Sequence, residues 1–138
     1  MEENDLMNYE KKWFVLHHNS LYNENPNLIG FRDPTEWRMI KVGDLIVYYQ
    51  AGKRQLRGIY EVIKTDINID LYFGKNEFLP GELKHQHELK LLQRLSANFR
   101  QGNAQQLSFH KDINNPTRWD NKRVFRIDNN DLAYLLSM

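Results

Sequence analysis

The sequence predicts a small mixed or antiparallel, barrel-like α+β domain of five or more strands with two or three short helices. Three observations carry that expectation. The strand-like runs are short and rich in β-branched and aromatic residues: Trp13–Leu16, Leu45–Tyr49 and Leu56–Val62. Turn residues separate them, where βαβ units would need long helical patterns. The chain has 138 residues, 41% hydrophobic and 12% aromatic, enough for one compact core without staples.

Each element follows from local chemistry. Residues 1–11 read as a polar N-terminal extension and 12–138 as a single domain. Trp13–Leu16 is the first strand, ending in His17-His18-Asn19-Ser20. Asn23-Glu24-Asn25-Pro26-Asn27 is a loop cluster. Asp33-Pro34-Thr35-Glu36 starts a short helix that runs to about Met39, with Asp33 as cap and Pro34 at the first helical position. Gly43 and Asp44 turn the chain into a second strand, Leu45–Gln50, and Ala51–Arg54 connects a hairpin to a third, Leu56–Lys64. Gly58 marks a bulge or a close packing contact in that strand.

Residues 65–83 read as irregular, His85–Leu92 as a fourth strand, and 94–110 as loop or short helix. Lys122–Ile127 is a fifth strand. Asp128 caps a last helix, with Leu132, Leu135 and Leu136 on one face. Trp13 and Phe14 read as core. Tyr48 and Tyr49 face opposite sides, one toward the core and the other toward a pocket.

Composition narrows the chemistry. The chain has no cysteine, which excludes disulfides, thiolate zinc sites and a cysteine nucleophile. The longest apolar run falls far short of the ~20 residues that span a bilayer, and the acidic start is no signal peptide. A cytoplasmic protein without a membrane partner is expected. The net charge of +1 hides an asymmetry. Glu2, Glu3, Asp5 and Glu10 make the head acidic, and without them 19 bases face 14 acids. A basic body suits an anionic partner.

Phosphate-loop, dinucleotide, nucleophile-elbow and zincin motifs are all missing, and no pattern calls for a cofactor. His85 and His87 share a strand face and could hold a metal, but no further ligand follows at a recognisable spacing. Asp70 with Glu88-Leu89-Lys90 could hold a divalent cation and activate water. A charged outer strand face explains the same residues.

Three pieces occur together in order. The first is Trp13-Phe14-Val15-Leu16-His17-His18-Asn19. The second joins Ile29-Gly30-Phe31 to Lys41-Val42-Gly43-Asp44-Leu45 and Gly58-Ile59-Tyr60-Glu61-Val62. The third is Asn115-Pro116-Thr117-Arg118-Trp119, followed by Arg126-Ile127-Asp128. This layout resembles the EVE domain family of the PUA-like superfamily, related to the YTH readers of methylated adenine, over about residues 12–136.

The resemblance implies a PUA-like twisted β-barrel of five to six mixed strands with short flanking helices. It also implies a pocket for a flipped or unpaired modified base. Carried over, the pocket takes His17, His18 and Asn19 from the first-strand end, and Ile29, Gly30 and Phe31 from the turn after it. Tyr72 or Phe73 supplies a loop wall, and Trp119 matches the late tryptophan. Ile29 stands where the methyl-adenine readers often carry a tryptophan, and His17 replaces a lysine of some YTH domains.

The residue chemistry agrees. Rings stack on a base for roughly 1–3 kcal/mol, an Asn amide both donates and accepts, and Gly30 lets backbone approach a ligand. Arg118, Lys122 and Arg123 would hold phosphates. The expected function is a non-catalytic module for DNA or RNA carrying a modified base. The alternatives are a metal-dependent nuclease or RNA hydrolase, using Asp70, Glu88, Lys90 and the histidines, and a small-ligand-binding domain.

Overall fold

A computed structural model of the chain describes residues 2–17, 19–67, 83–112 and 122–138. In order these form α1 (Glu3–Met7), β1 (Lys12–His17), α2 (Asn19–Glu24), β2 (Leu28–Phe31), α3 (Pro34–Trp37) and β3 (Leu45–Gln50). There follow β4 (Gln55–Ile67), β5 (His85–Asn98), α4 (Gln101–Ala104), β6 (Val124–Ile127) and α5 (Asn129–Leu136). The six strands make one mixed sheet, ordered β2-β5-β4-β3-β1-β6. β1 and β3 run parallel, and the other pairs are antiparallel. The α+β barrel class expected from the sequence is the class found.

β1 and β3 explain their own composition. Trp13 and Val15 of β1 and Ile46 and Tyr48 of β3 pack on the inside of the curl, with Ile29, Phe31, Ile40, Tyr60, Val62, Leu89 and Val124. The alternate residues Phe14, Leu16, Leu45, Val47 and Tyr49 pack outward, under residues of α1, α4 and α5. Strands covered on both faces need continuous apolar runs, and these have them. Tyr48 and Tyr49 therefore serve one core each.

Local signals placed the turns correctly. Asp33 accepts from Thr35 N at 2.7 Å and caps α3, and Asp128 accepts from Asp131 N at 2.8 Å and caps α5. Gly43 has φ of +93°, a conformation natural to glycine. Asp44 beside it accepts from the Trp13 indole at 2.8 Å and from Lys41 N at 2.9 Å. At Gly58 the β4 ladder slips against both neighbours. An added Cβ there would lie 3.0 Å from Leu91 and from Tyr60, so Gly58 is both a bulge and a packing glycine.

Four expectations are corrected. Ile29-Gly30-Phe31 is not a turn but part of β2, paired with His87, Gln86 and His85. β5 continues to Asn98, because Arg94, Ala97 and Asn98 pair with Gly58, Leu56 and Gln55. β4 likewise continues through residues 65–67. Two short helices lacked a sequence signal: α2, and α1, which seats Leu6 fully buried in the outer core.

The sheet is curled and clasped. β1 and β2 are far apart in the strand order, yet Gly30 N donates to His17 Nε2 at 3.1 Å. α3 ties the same two rims. The Trp37 indole donates to the Gln86 carbonyl at 3.0 Å, on β5. The Glu36 carboxylate accepts from Arg123 N and Val124 N at 2.9 and 2.8 Å, satisfying amides at the start of edge strand β6.

Candidate functional site

The C-terminal ends of β1 and β3 gather rings. His17, the last residue of β1, is buried and packs against Phe31 at 5.2 Å between centroids and against the Tyr48 ring at 5.7 Å. Tyr22, from α2, meets Tyr48 edge-on at 5.1 Å, and Tyr60 of β4 lies 5.8 Å from it. Tyr22 and Tyr60 share a hydrogen bond between their side chains. Four strands and one helix thus place five rings together. His17 Nε2 accepts from a backbone amide, which assigns the proton of its neutral ring to Nδ1.

The Tyr48 hydroxyl stands out electrostatically. It is fully buried and has no hydrogen-bond partner among the described residues. Burial first, then the neighbouring Tyr60 and Tyr22, pushes its phenol well above the ordinary value of 10.0. Burial and Tyr22 push Tyr60 up as well. Both stay neutral donors at any physiological pH.

A polar chain runs from the rings to the surface. The Arg57 guanidinium sits 5.2 Å from the Tyr22 ring centre and donates through Nε to Gln50 Oε1 at 2.6 Å. Gln50 in turn donates to Asn23 Oδ1 at 3.1 Å. Beside it opens a groove of about 670 Å³, between the end of α2 and its connection to β2 (Tyr22, Asn23, Pro26, Asn27) and the β4–β5 ribbon (Tyr60, Ile63, Leu89, Lys90, Leu91, Arg94).

Of the residues expected from sequence, the structure brings His17, Gly30 and Phe31 into contact. Ile29 is fully buried in the inner core, behind the rings. Gly30 differs from expectation in its role. Its N–H is taken by His17, and the close approach that an added Cβ would crowd is made by Leu83, 3.2 Å from where that atom would lie. Asn19 opens α2 directly after this strand end. Arg123 flanks it, since its carbonyl accepts from Leu16 N at 2.9 Å. Lys122 is exposed, with its ammonium 5.3 Å from the Phe125 ring centre. His18, Asp70, Tyr72, Phe73, Arg118 and Trp119 lie outside the described residues.

His85 and His87 do share a face, and Trp37 covers it, with ring centroids at 5.3 and 5.7 Å. His87 donates from Nε2 to the Trp37 carbonyl at 3.0 Å. Among the described residues, no three His, Asp or Glu side chains gather where a metal could be held. No described helix is long and apolar enough to cross a membrane. Sequence reasoning missed Tyr22, Tyr60, Arg57 and Arg94 as site residues. The Tyr48-Tyr49 doublet was the one signal, because it places a ring on each face.

No family model matches the chain, and no curated protein matches it. Solved structures match in shape. The Pho92 YTH domain in complex with m6A aligns at TM-score 0.59 and 10% identity, over 94% of this chain and 86% of that one. The YTH domain-containing protein mmi1 in complex with RNA aligns at 0.57 and 9%, over 92% and 79%. A protein from Pseudomonas putida aligns at 0.59 and 12%, over 91% and 97%. At these identities the likeness shows the fold: the chain has the curled, barrel-like mixed sheet seen in those YTH domains.

Proposed function

We propose that this chain is a non-catalytic module that binds a single strand, RNA before DNA, and holds one modified base at the mouth of the barrel. The observation that carries the reading is the ring cluster of His17, Phe31, Tyr48, Tyr22 and Tyr60 around a buried hydroxyl with no partner among the described residues. A buried polar group without a partner is costly unless a ligand satisfies it. Rings stack on a base whatever its identity, and a few donors and acceptors read its edge.

In this reading His17, Asn19, Ile29, Gly30 and Phe31 form the base of the pocket, and His18, Tyr72, Phe73 and Trp119 complete it. Arg118, Lys122 and Arg123 meet phosphates beside the end of β1. The likeness to two YTH domains, one described with m6A and the other with RNA, supports the RNA preference. The sequence layout supports placing the chain with EVE domains, in the cytoplasm.

The test is a binding screen against oligonucleotides that each carry one modified base, at two salt concentrations. A preference that persists at high salt supports the pocket, because stacking and edge hydrogen bonds release few counterions. Equal affinity for every modified and plain strand at both salts refutes the base-reading claim.

A further inference from the structure

We propose that the groove between the α2–β2 connection and the β4–β5 ribbon is a second nucleotide subsite, which takes an unmodified neighbour of the read base in the same single strand. The inference rests on the function proposed above, that the chain binds such a strand. Apart from Tyr22 and Tyr60, it concerns residues which that function does not use.

The lining is suited to an anion with a flat apolar part. Lys90 and Arg94 are exposed on one rim, and among the described residues no acidic side chain lines the groove. Ile63 and Leu91 also line it, at 42% and 38% exposure. They are two of the four large hydrophobics left exposed among the described residues. Apolar surface held open beside cations fits a ligand that carries both characters in one unit, as a nucleotide does.

Asn23 and Asn27 add amide groups to the wall opposite the ribbon. Each amide can meet a base edge as donor and acceptor together. At about 670 Å³ the space falls within the roughly 300–1,000 Å³ range of ligand sites. Arg57 adds a third cation above the Tyr22 ring.

Continuity with the ring cluster selects a strand as the occupant. Tyr22 lines the groove, and His17 belongs to the proposed pocket, yet both rings pack on Tyr48, at 5.1 and 5.7 Å. One tyrosine therefore separates the two places, a span that one or two nucleotides cover. Bases in the two sites would meet Tyr22 and His17, which pack on the same buried ring from either side.

The experiment measures affinities of the full chain for a plain and a modified 9-mer across a salt series. It compares wild type with Lys90→Ala/Arg94→Ala and with the equally charge-reducing Lys11→Ala/Lys41→Ala. Losing one to two phosphate contacts on a single strand lowers the salt slope by about 0.7–1.4. Extrapolated from 1 M, this is a loss of about 5- to 25-fold at 0.1 M salt. The groove variant is expected to show this loss equally for both strands, leaving their ratio unchanged. Ile63→Glu, at an exposed position, is expected to weaken both strands as well, with an unchanged melting temperature.

The proposal falls if the groove variant binds as wild type does, or if the Lys11/Lys41 control loses as much. It also falls if a nucleoside monophosphate binds as tightly as the 9-mer, which would make the groove a free-nucleotide site. The two readings separate cleanly. A modified-base preference that survives while the groove variants change nothing leaves the reader and removes the subsite. Groove-dependent binding without any preference does the reverse.

Discussion

Tyr48→Phe removes a single oxygen from the inside of the barrel, and the free protein should become more stable. The ring is wholly buried, so its packing on His17, Tyr22 and Tyr60 stays in place. The hydroxyl has no partner among the described residues, and leaving such a group dry costs about 1–3 kcal/mol. Dispersion attraction between the oxygen and the atoms around it, at about 0.1–0.2 kcal/mol per pair, disappears with it and offsets part of that gain. The net gain is about 1 kcal/mol. Unfolding entropy of about 2.1 cal/mol/K per residue over 138 residues converts that into a rise in Tm of about 3 °C. Calorimetry and urea titration on the same samples should agree, with the urea slope unchanged. If the hydroxyl also meets the bound base, the affinity for the preferred modified strand falls about 5- to 10-fold, the worth of one neutral hydrogen bond. A Tm equal to or below that of the native chain refutes the reasoning, because the hydroxyl would then be satisfied in the free protein.

Three further outcomes are expected. Burial raises Tyr48 and Tyr60 above the ordinary phenol value of 10.0, and burial with Glu61 raises Tyr9 to about 12. The unfolded chain then ionises first, so stability is fully present below pH 10 and falls above it; the urea midpoint at pH 8, 9.5 and 11 checks this, and a midpoint that rises at pH 11 contradicts it. Gly58→Ala places a Cβ 3.0 Å from Leu91 and Tyr60 and 3.1 Å from the Gln93 carbonyl, and overpacking should cost about 1–3 kcal/mol, visible in thermal melts. Glu36→Ala strips the acceptor from the Arg123 and Val124 amides, so their hydrogen exchange should quicken while that of β4 stays slow.

Much of the fold was legible because local chemistry decided it. Asp33-Pro34, Gly43-Asp44 and Asp128 each announce a cap or turn with a mechanism, and each is found in that role. The doubly buried strands β1 and β3 declare themselves through unbroken apolar runs. What stayed hidden depends on tertiary context. The outer half of β5 carries Arg94, Ser96 and Asn98, and only its pairing with β4 makes it a strand. β2 is four residues long with a glycine inside, so it reads as a turn until β5 is beside it.

The site divides along the same line. His17, Gly30 and Phe31 were expected together only through the resemblance to EVE domains, and the structure brings them into contact. Tyr22, Arg57, Tyr60 and Arg94 come from separate stretches of three different elements, and no spacing rule joins them before the sheet curls. Gly30 has a structural reason of its own, separate from any ligand. Its missing side chain makes room for Leu83, and its amide serves His17.

Among the described residues, the two central strands β1 and β3 are upholstered on both sides and have no bare surface to lend to a partner. What the described surface offers a visitor is the tips of those strands and the stretch where the long ribbon outruns its covering. Change can then accumulate at those margins, altering what is recognised, while the padded middle goes on specifying the same shape.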